Sequence, residues 1–115
     1  MIPIGVVASS GAGILVPNKV ALTGVEQTAN TTLNVTWTAP ASNAAPIDYY
    51  QVQISYDGIS YGNLTTTSAL NSGTSGYTYD VTYWFRVSAV NAYGSGEYSD
   101  PSTGMVQNFG PGYWD

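Results

Sequence analysis

The sequence predicts an all-β fold, a seven-stranded antiparallel sandwich of two sheets, and three observations support this prediction. Only 8% of the 115 residues are charged, whereas the chain contains 13 glycines and 10 tyrosines. Tyr, Thr and Val favour strands, and Gly and Asn favour reversals. The residues that favour helices (Lys, Glu, Arg and Leu) are scarce. Several segments alternate apolar and polar residues with period two and are separated by turn residues. A closed barrel is the structural alternative.

The chain is predicted to divide into three parts. Residues 17–107 have the size of one domain with a real core. Residues 1–16 form an extended N-terminal arm, rich in Gly, Ala and Ser but with apolar clusters at 2–7 and 14–16. Residues 108–115 form a short aromatic tail. The arm is either a solvated leader or a segment that docks a partner subunit by strand addition or groove insertion.

The seven predicted strands follow the alternation in chain order. Residues 83–91 carry the strongest pattern, because Tyr83 and Phe85 share one parity and Trp84 and Arg86 the other. Residues 71–76 are predicted to be a flexible loop. The strands are predicted at residues 20–25, 33–38, 49–54, 61–67, 77–79, 83–91 and 103–107. The side chains predicted to form the core are Leu33, Val35, Trp37, Tyr50, Val52, Tyr83, Phe85, Val87 and Ala89.

Charge and composition exclude several functions. The net charge is −5, with Lys19 and Arg86 as the only cations, so we expect no nucleic-acid binding and no attraction to anionic membranes. The apolar run at the N-terminus is broken by Pro3 and Gly5 and is too short to span a bilayer, so no membrane insertion is expected. No basic segment precedes that run, which disfavours a cleaved signal peptide.

Catalysis and cofactor binding are not expected either. The chain has neither His nor Cys, which removes disulfides, the commonest zinc ligands and the commonest general base. Its seven acids are scattered through predicted turns and form no pair. We therefore predict no enzyme activity, no cofactor and no metal site.

Three segments together resemble a fibronectin type III domain, an immunoglobulin-like sandwich. Residues 33–40 (LNVTWTAP) are similar to the family's second strand with its core tryptophan and following proline. Residues 46–52 (PIDYYQV) resemble the third strand, and residues 83–91 the sixth. The resemblance covers about residues 17–107 and implies that Tyr83 occupies the tyrosine-corner position. One departure is that Tyr77-Thr78-Tyr79 stands where the family has Leu-x-Pro.

Two surfaces are candidates for ligand contact. Residues 41–46 and 92–97 are predicted loops at one end of the sandwich, where related scaffolds often bind ligands. The other candidate is the outer face of the sheet that contains residues 83–91, unless Phe109 or Trp114 of the tail covers it. Alternatively, the tyrosines simply fill a surface of low charge. The predicted contact residues are Tyr49, Trp84, Arg86, Tyr93 and Tyr98.

The resemblance implies a non-enzymatic structural or decoration module, and we expect it on the head or tail of a bacteriophage virion, where domains similar to this family occur. Its partners would be other protein subunits of the shell or tail, with weak binding of host-surface glycans. An adhesion or carbohydrate-associated module of a secreted bacterial protein is the alternative, and an intracellular scaffold the third. The predicted anchor residues are Ile2, Ile4, Val6, Val7, Ile14, Leu15, Phe109, Tyr113 and Trp114.

Overall fold

A computed structural model describes residues 14–113, and this part of the chain contains eight strands and no helix. The expected all-β sandwich is confirmed, with eight strands in place of seven. The strands are β1 (Ala21–Ala29), β2 (Thr32–Thr38), β3 (Tyr49–Ser55), β4 (Tyr61–Thr67), β5 (Asn71–Thr74), β6 (Tyr83–Asn91), β7 (Gly94–Ser95) and β8 (Ser102–Gly104).

The strands form two antiparallel sheets. One has the order β1-β2-β5, and the other has the order β4-β3-β6-β7, with β8 also paired to β6. The register of β3 on β6 places Gln53 opposite Arg86 and Tyr49 opposite Val90. Because side chains alternate along a strand, this register puts Gln53 and Arg86 on the same outer face.

The core lies between the two sheets. All nine side chains predicted to form it are buried, and Val20, Ile54, Tyr77 and Val106 join them. Phe85 is fully enclosed, with its ring 6.0 Å from that of Tyr77. Truncation of such a side chain to alanine costs about 3–5 kcal/mol, a large part of the stability of a small domain.

The prediction for residues 77–79 was wrong, because Tyr79 forms only an isolated parallel bridge with Val106. The Tyr77 ring instead packs into the core, 4.7 Å from that of Tyr83. The Thr78 N–H donates a 2.9 Å hydrogen bond to the Tyr83 hydroxyl. A tyrosine corner is therefore present, formed by the Tyr83 hydroxyl and the Thr78 backbone.

Other strand predictions also differ, and the strand predicted at residues 103–107 is observed at Ser102–Gly104. Asn71–Thr74 is a strand and not a flexible loop, because it pairs with Leu33–Thr36 of the buried strand β2. Its own residues have weak strand propensity, so the pairing decides its conformation. β1 extends through Gln27 to Ala29. The Gln27 side-chain nitrogen donates to the Gln107 carbonyl, and its side-chain oxygen accepts the Gln107 N–H, both at 2.9 Å.

Among residues 14–113 there is no helix long and apolar enough to cross a membrane. The same residues contain no group of three or more His, Cys, Asp or Glu side chains that could hold a metal ion.

Candidate functional site

One end of the sandwich is organised around the buried side chain of Asn91. Its amide nitrogen donates to the carbonyls of Leu15 (2.8 Å), Ser42 (3.0 Å) and Ala45 (3.3 Å). Its amide oxygen accepts the N–H of Tyr93 at 2.9 Å. One side chain thus joins the β2–β3 loop, the loop after β6 and the segment that precedes β1. The two predicted loops therefore lie at the same end.

Asn43 makes a second attachment between the same segment and the β2–β3 loop. Its amide nitrogen donates to the Val16 carbonyl at 2.7 Å and to the side-chain oxygen of Asn18 at 2.9 Å. The Asn18 N–H donates to the Ala41 carbonyl at 2.9 Å. Asn43 has a φ of 63°, a left-handed conformation that asparagine tolerates better than most residues.

The chain after β7 contacts the same segment from the other side. A Cβ on Gly96 would lie only 2.2 Å from the Pro17 carbonyl oxygen, so the two backbones meet where no side chain fits. Lys19 donates to Asp100 at 2.8 Å and lies 4.0 Å from Glu97. The hydrogen bond with Asp100 raises the pKa of Lys19. Residues 15–18 are thus held on both sides, and we name them the N-terminal clamp segment.

The clamp segment shortens the part of the chain that can be an arm separate from the sandwich. Residues 15 and 16 were assigned to the arm, but they are held by the sandwich. Ile14 and Leu15 are each 47% exposed, and Tyr93 in the neighbouring loop is 57% exposed. The other predicted anchors of the arm (Ile2, Ile4, Val6 and Val7) lie outside the described residues.

A second surface lies on the outer face of the five-stranded sheet, centred on Arg86. Its guanidinium carbon lies 4.1 Å from the ring centre of Tyr61 and 4.5 Å from that of Tyr98. Its Nε donates to the Gln53 side-chain oxygen at 2.8 Å, and the Gln53 nitrogen donates to Asn63 at 2.9 Å. We name these five residues the arginine cluster.

The structure separates the other predicted contact residues. Trp84 pairs with Ser55, six residues along β6 from the Tyr49–Val90 pair. At about 3.4 Å per residue, Trp84 and Tyr49 lie roughly 20 Å apart along the sheet. Trp84 is half-buried, because its ring packs on the β3–β4 turn, 2.9 Å from where a Gly58 Cβ would lie.

Sequence reasoning placed Arg86 on an outer face and included Tyr98 among the contact residues, but it missed Tyr61 and Asn63. The alternation within β4 could have shown that Tyr61 and Asn63 share a face. Their contact with the Arg86 and Gln53 side chains depends on the pairing of β4 with β3, which the sequence does not state.

Two aromatic side chains of the tail contact each other. The rings of Phe109 and Tyr113 stack with centres 4.5 Å apart and planes 27° apart. Phe109 is 47% exposed and Tyr113 is 59% exposed. Trp114, the third predicted aromatic anchor of the tail, lies outside the described residues.

A shallow groove of about 370 Å³ runs between the start of β1 and the segment before β8. Its charged groups are Lys19 and Asp100, which pair with each other across the groove. The hydrogen bond with Asp100 raises the pKa of Lys19, which moves it away from the neutral range that suits a general acid or base.

Comparison with known proteins agrees with this geometry. The family model described as fibronectin type III domain matches residues 17–105. No curated protein matches the chain. Among solved structures, the sixth fibronectin type III domain of human fibronectin type III domain containing protein 3 is similar, with a TM-score of 0.74 and 23% identity over 86% of this chain and 94% of that one.

Two larger proteins contain a region of similar fold. One is a structure of titin kinase and its flanking domains, with a TM-score of 0.72 and 23% identity over 81% of this chain and 18% of that one. The other is a beta-1,2-glucanase from Parabacteroides distasonis, with a TM-score of 0.70 and 15% identity over 82% of this chain and 13% of that one. These similarities show the fold, and the family-model match shows that this chain belongs to the fibronectin type III family.

Proposed function

We propose that this protein is a non-catalytic structural module that attaches to a larger assembly through its N-terminal segment. Fibronectin type III domains are typically non-enzymatic and are often used in structural and adhesion proteins. The observation that carries the proposal is the N-terminal clamp segment. Two asparagine side chains and a close backbone contact fix the point where the chain leaves the sandwich.

A fixed exit point suits an anchoring segment. Residues 1–13 precede Ile14 and can span at most about 45 Å when extended. Six of the first seven residues are apolar or proline, a composition that buries favourably in a groove or against a sheet edge. The exposed side chains of Leu15 and Tyr93 lie where the segment meets the domain, so they extend the apolar surface offered to a partner subunit.

The assembly proposed is a bacteriophage virion, on whose head or tail the sandwich projects outward. Both terminal segments lie outside the family match and carry apolar or aromatic residues, which supports attachment by the ends. The stacked pair Phe109 and Tyr113 serves as the second anchor. The low-charge sandwich between the two anchors acts as a spacer. In this proposal the protein is located on the virion.

Truncation tests this proposal. A variant that lacks residues 1–13 keeps the clamp segment and should fold with an unchanged Tm. It should be missing from purified particles of the source virus, as measured by mass spectrometry of the virion proteins. The matched control is Ile59→Ser, which removes an exposed apolar side chain (83% exposed) from the β3–β4 turn and should enter particles normally. Normal incorporation of the truncated, folded variant would overturn the proposal.

A second candidate function is favoured by the arginine cluster. In this alternative the protein is an adhesion or carbohydrate-associated module of a secreted bacterial protein. An aromatic ring and an amide side chain that both contact Arg86, those of Tyr98 and Gln53, suit sugar rings and their hydroxyls. The full chain would then be a monomer that binds oligosaccharides, and Tyr98→Ala would weaken that binding. A glycan array with no bound sugar would exclude this alternative.

A further inference from the structure

We propose that the arginine cluster binds the carboxylate of an acidic sugar of the uronic-acid or sialic-acid class, with Arg86 as the anchoring residue. The inference rests on the second candidate function and specifies its ligand. It also holds if the protein is a virion module, because weak glycan contact is compatible with that role.

Arg86 is fixed by its neighbours before any ligand arrives. Tyr98 follows β7 on one side of β6, and Tyr61 belongs to β4 on the other side. Both rings lie within 4.5 Å of the guanidinium carbon. The hydrogen bond from Nε to Gln53 sets the rotation of the guanidinium plane. A side chain that is already oriented loses less conformational entropy on binding than a free arginine would.

Arg86 is also the cation whose charge is not matched within the described residues. The other cation, Lys19, is paired with Asp100 and Glu97. No carboxylate of residues 14–113 lies within 4.0 Å of Arg86, and its two terminal nitrogens make no hydrogen bond there. Two parallel N–H groups on a planar fork match the two oxygens of a carboxylate.

The acidic net charge of the protein does not prevent this binding. The Asp57 carboxylate, in the turn beneath Trp84, accepts the N–H groups of Ile59 and Ser60 at 2.8 and 2.9 Å. Glu97 is directed to Lys19. More distant acids are screened beyond about 8 Å at physiological ionic strength. Arg86 therefore has no competing ion pair among the described residues.

The side chains around Arg86 suit a sugar acid. The rings of Tyr61 and Tyr98 lie on the guanidinium, and the amides of Gln53 and Asn63 belong to the same cluster. Tyrosine rings pack on the apolar faces of sugar rings, and an exposed amide such as that of Asn63 can donate to and accept from sugar hydroxyls. A sugar acid can therefore use the whole cluster, whereas an acidic protein side chain needs only the guanidinium.

Titration of the full, ¹⁵N-labelled chain with trigalacturonate tests the inference, with a neutral trimer of galactose as the matched probe. NMR should show a saturable shift of the Arg86 Nε–H with trigalacturonate, and affinity about tenfold or more above that for the neutral trimer. Arg86→Gln should abolish this preference. Arg86→Lys keeps the charge but removes the fork, so it should lose most of the preference. Lys19→Gln, which removes the other cation, should leave it intact.

Three results would overturn the inference. No saturable shift with trigalacturonate or with sialyllactose at about 10 mM would exclude the site. Equal affinity for the acidic and neutral trimers would exclude the role of the carboxylate while leaving glycan binding in place. Tighter binding of a glutamate-rich peptide than of either acidic sugar would show that the cluster serves a protein partner.

Discussion

Asn91→Ala should destabilise the domain by about 3 kcal/mol. Asn91 is 4% exposed. Its side-chain amide has two N–H groups that donate to three carbonyls, and its oxygen accepts the Tyr93 N–H. The substitution removes about three hydrogen bonds' worth of interaction, at about 1 kcal/mol net for each. For a domain of this size the loss corresponds to a fall in Tm of roughly 12–24 °C, because each kcal/mol shifts Tm by about 4–8 °C.

Urea denaturation of the full chain, followed by tryptophan fluorescence, measures this effect. The midpoint should fall while the slope of the unfolding free energy against urea stays constant. The control is Asn63→Ala, since Asn63 is exposed and accepts one hydrogen bond, from Gln53. Its unfolding free energy should stay within about 0.5 kcal/mol of the parent value.

A change at position 91 that is no larger than the control would refute the organising role of Asn91. Asn91→Asp provides a second comparison with almost the same shape. The carboxylate still accepts the N–H of Tyr93 but repels the three carbonyl oxygens. At neutral pH this variant should therefore be at least as destabilised as Asn91→Ala. A protonated acid can donate, so the stability difference from the parent should shrink as the pH falls.

Two further predictions concern the β3–β4 turn. Gly58→Ala should lower the free energy of unfolding, measured by urea denaturation, by about 1–2 kcal/mol. The reason is that Gly58 has a φ of 79° and that an added Cβ would lie 2.9 Å from the Trp84 ring. The control is Gly62→Ala, whose Cβ would have nothing within 4 Å and which should not reproduce this loss. Hydrogen bonds from the Ser60 and Ile59 N–H groups lower the pKa of Asp57, so its stabilising contribution is present above about pH 4 and is lost as the pH falls through the lowered folded pKa. Asp57→Asn should reduce the acid sensitivity of the midpoint, and an unchanged acid dependence would contradict this.

The sandwich could be predicted because its core pattern is local. In β2, β3 and β6, the inward-facing residues of positions 33–37, 50–54 and 83–89 alternate along the strand and have apolar side chains. β5 has no such pattern, since its sequence is Asn-Ser-Gly-Thr. Its conformation comes from pairing with β2, a partner more than thirty residues away in the chain.

The two candidate surfaces were harder to predict, because each depends on contacts between distant segments. Asn91 ends a predicted strand and resembles any other polar residue at a loop boundary. Its role appears only when residues 15, 42 and 45 meet around it. Likewise, Arg86 could be placed on an outer face by parity, but the rings of Tyr61 and Tyr98 reach it through the strand order.

Photo-crosslinking in the assembled particle tests attachment by the N-terminal segment most directly. A photoreactive residue at position 4 should crosslink to a different virion protein, because this position lies in the apolar stretch proposed to dock. The same residue at position 66, exposed on β4, should give no such crosslink. A neighbour captured from position 66 but not from position 4 would contradict the account, since the sandwich and not the segment before it would then carry the attachment.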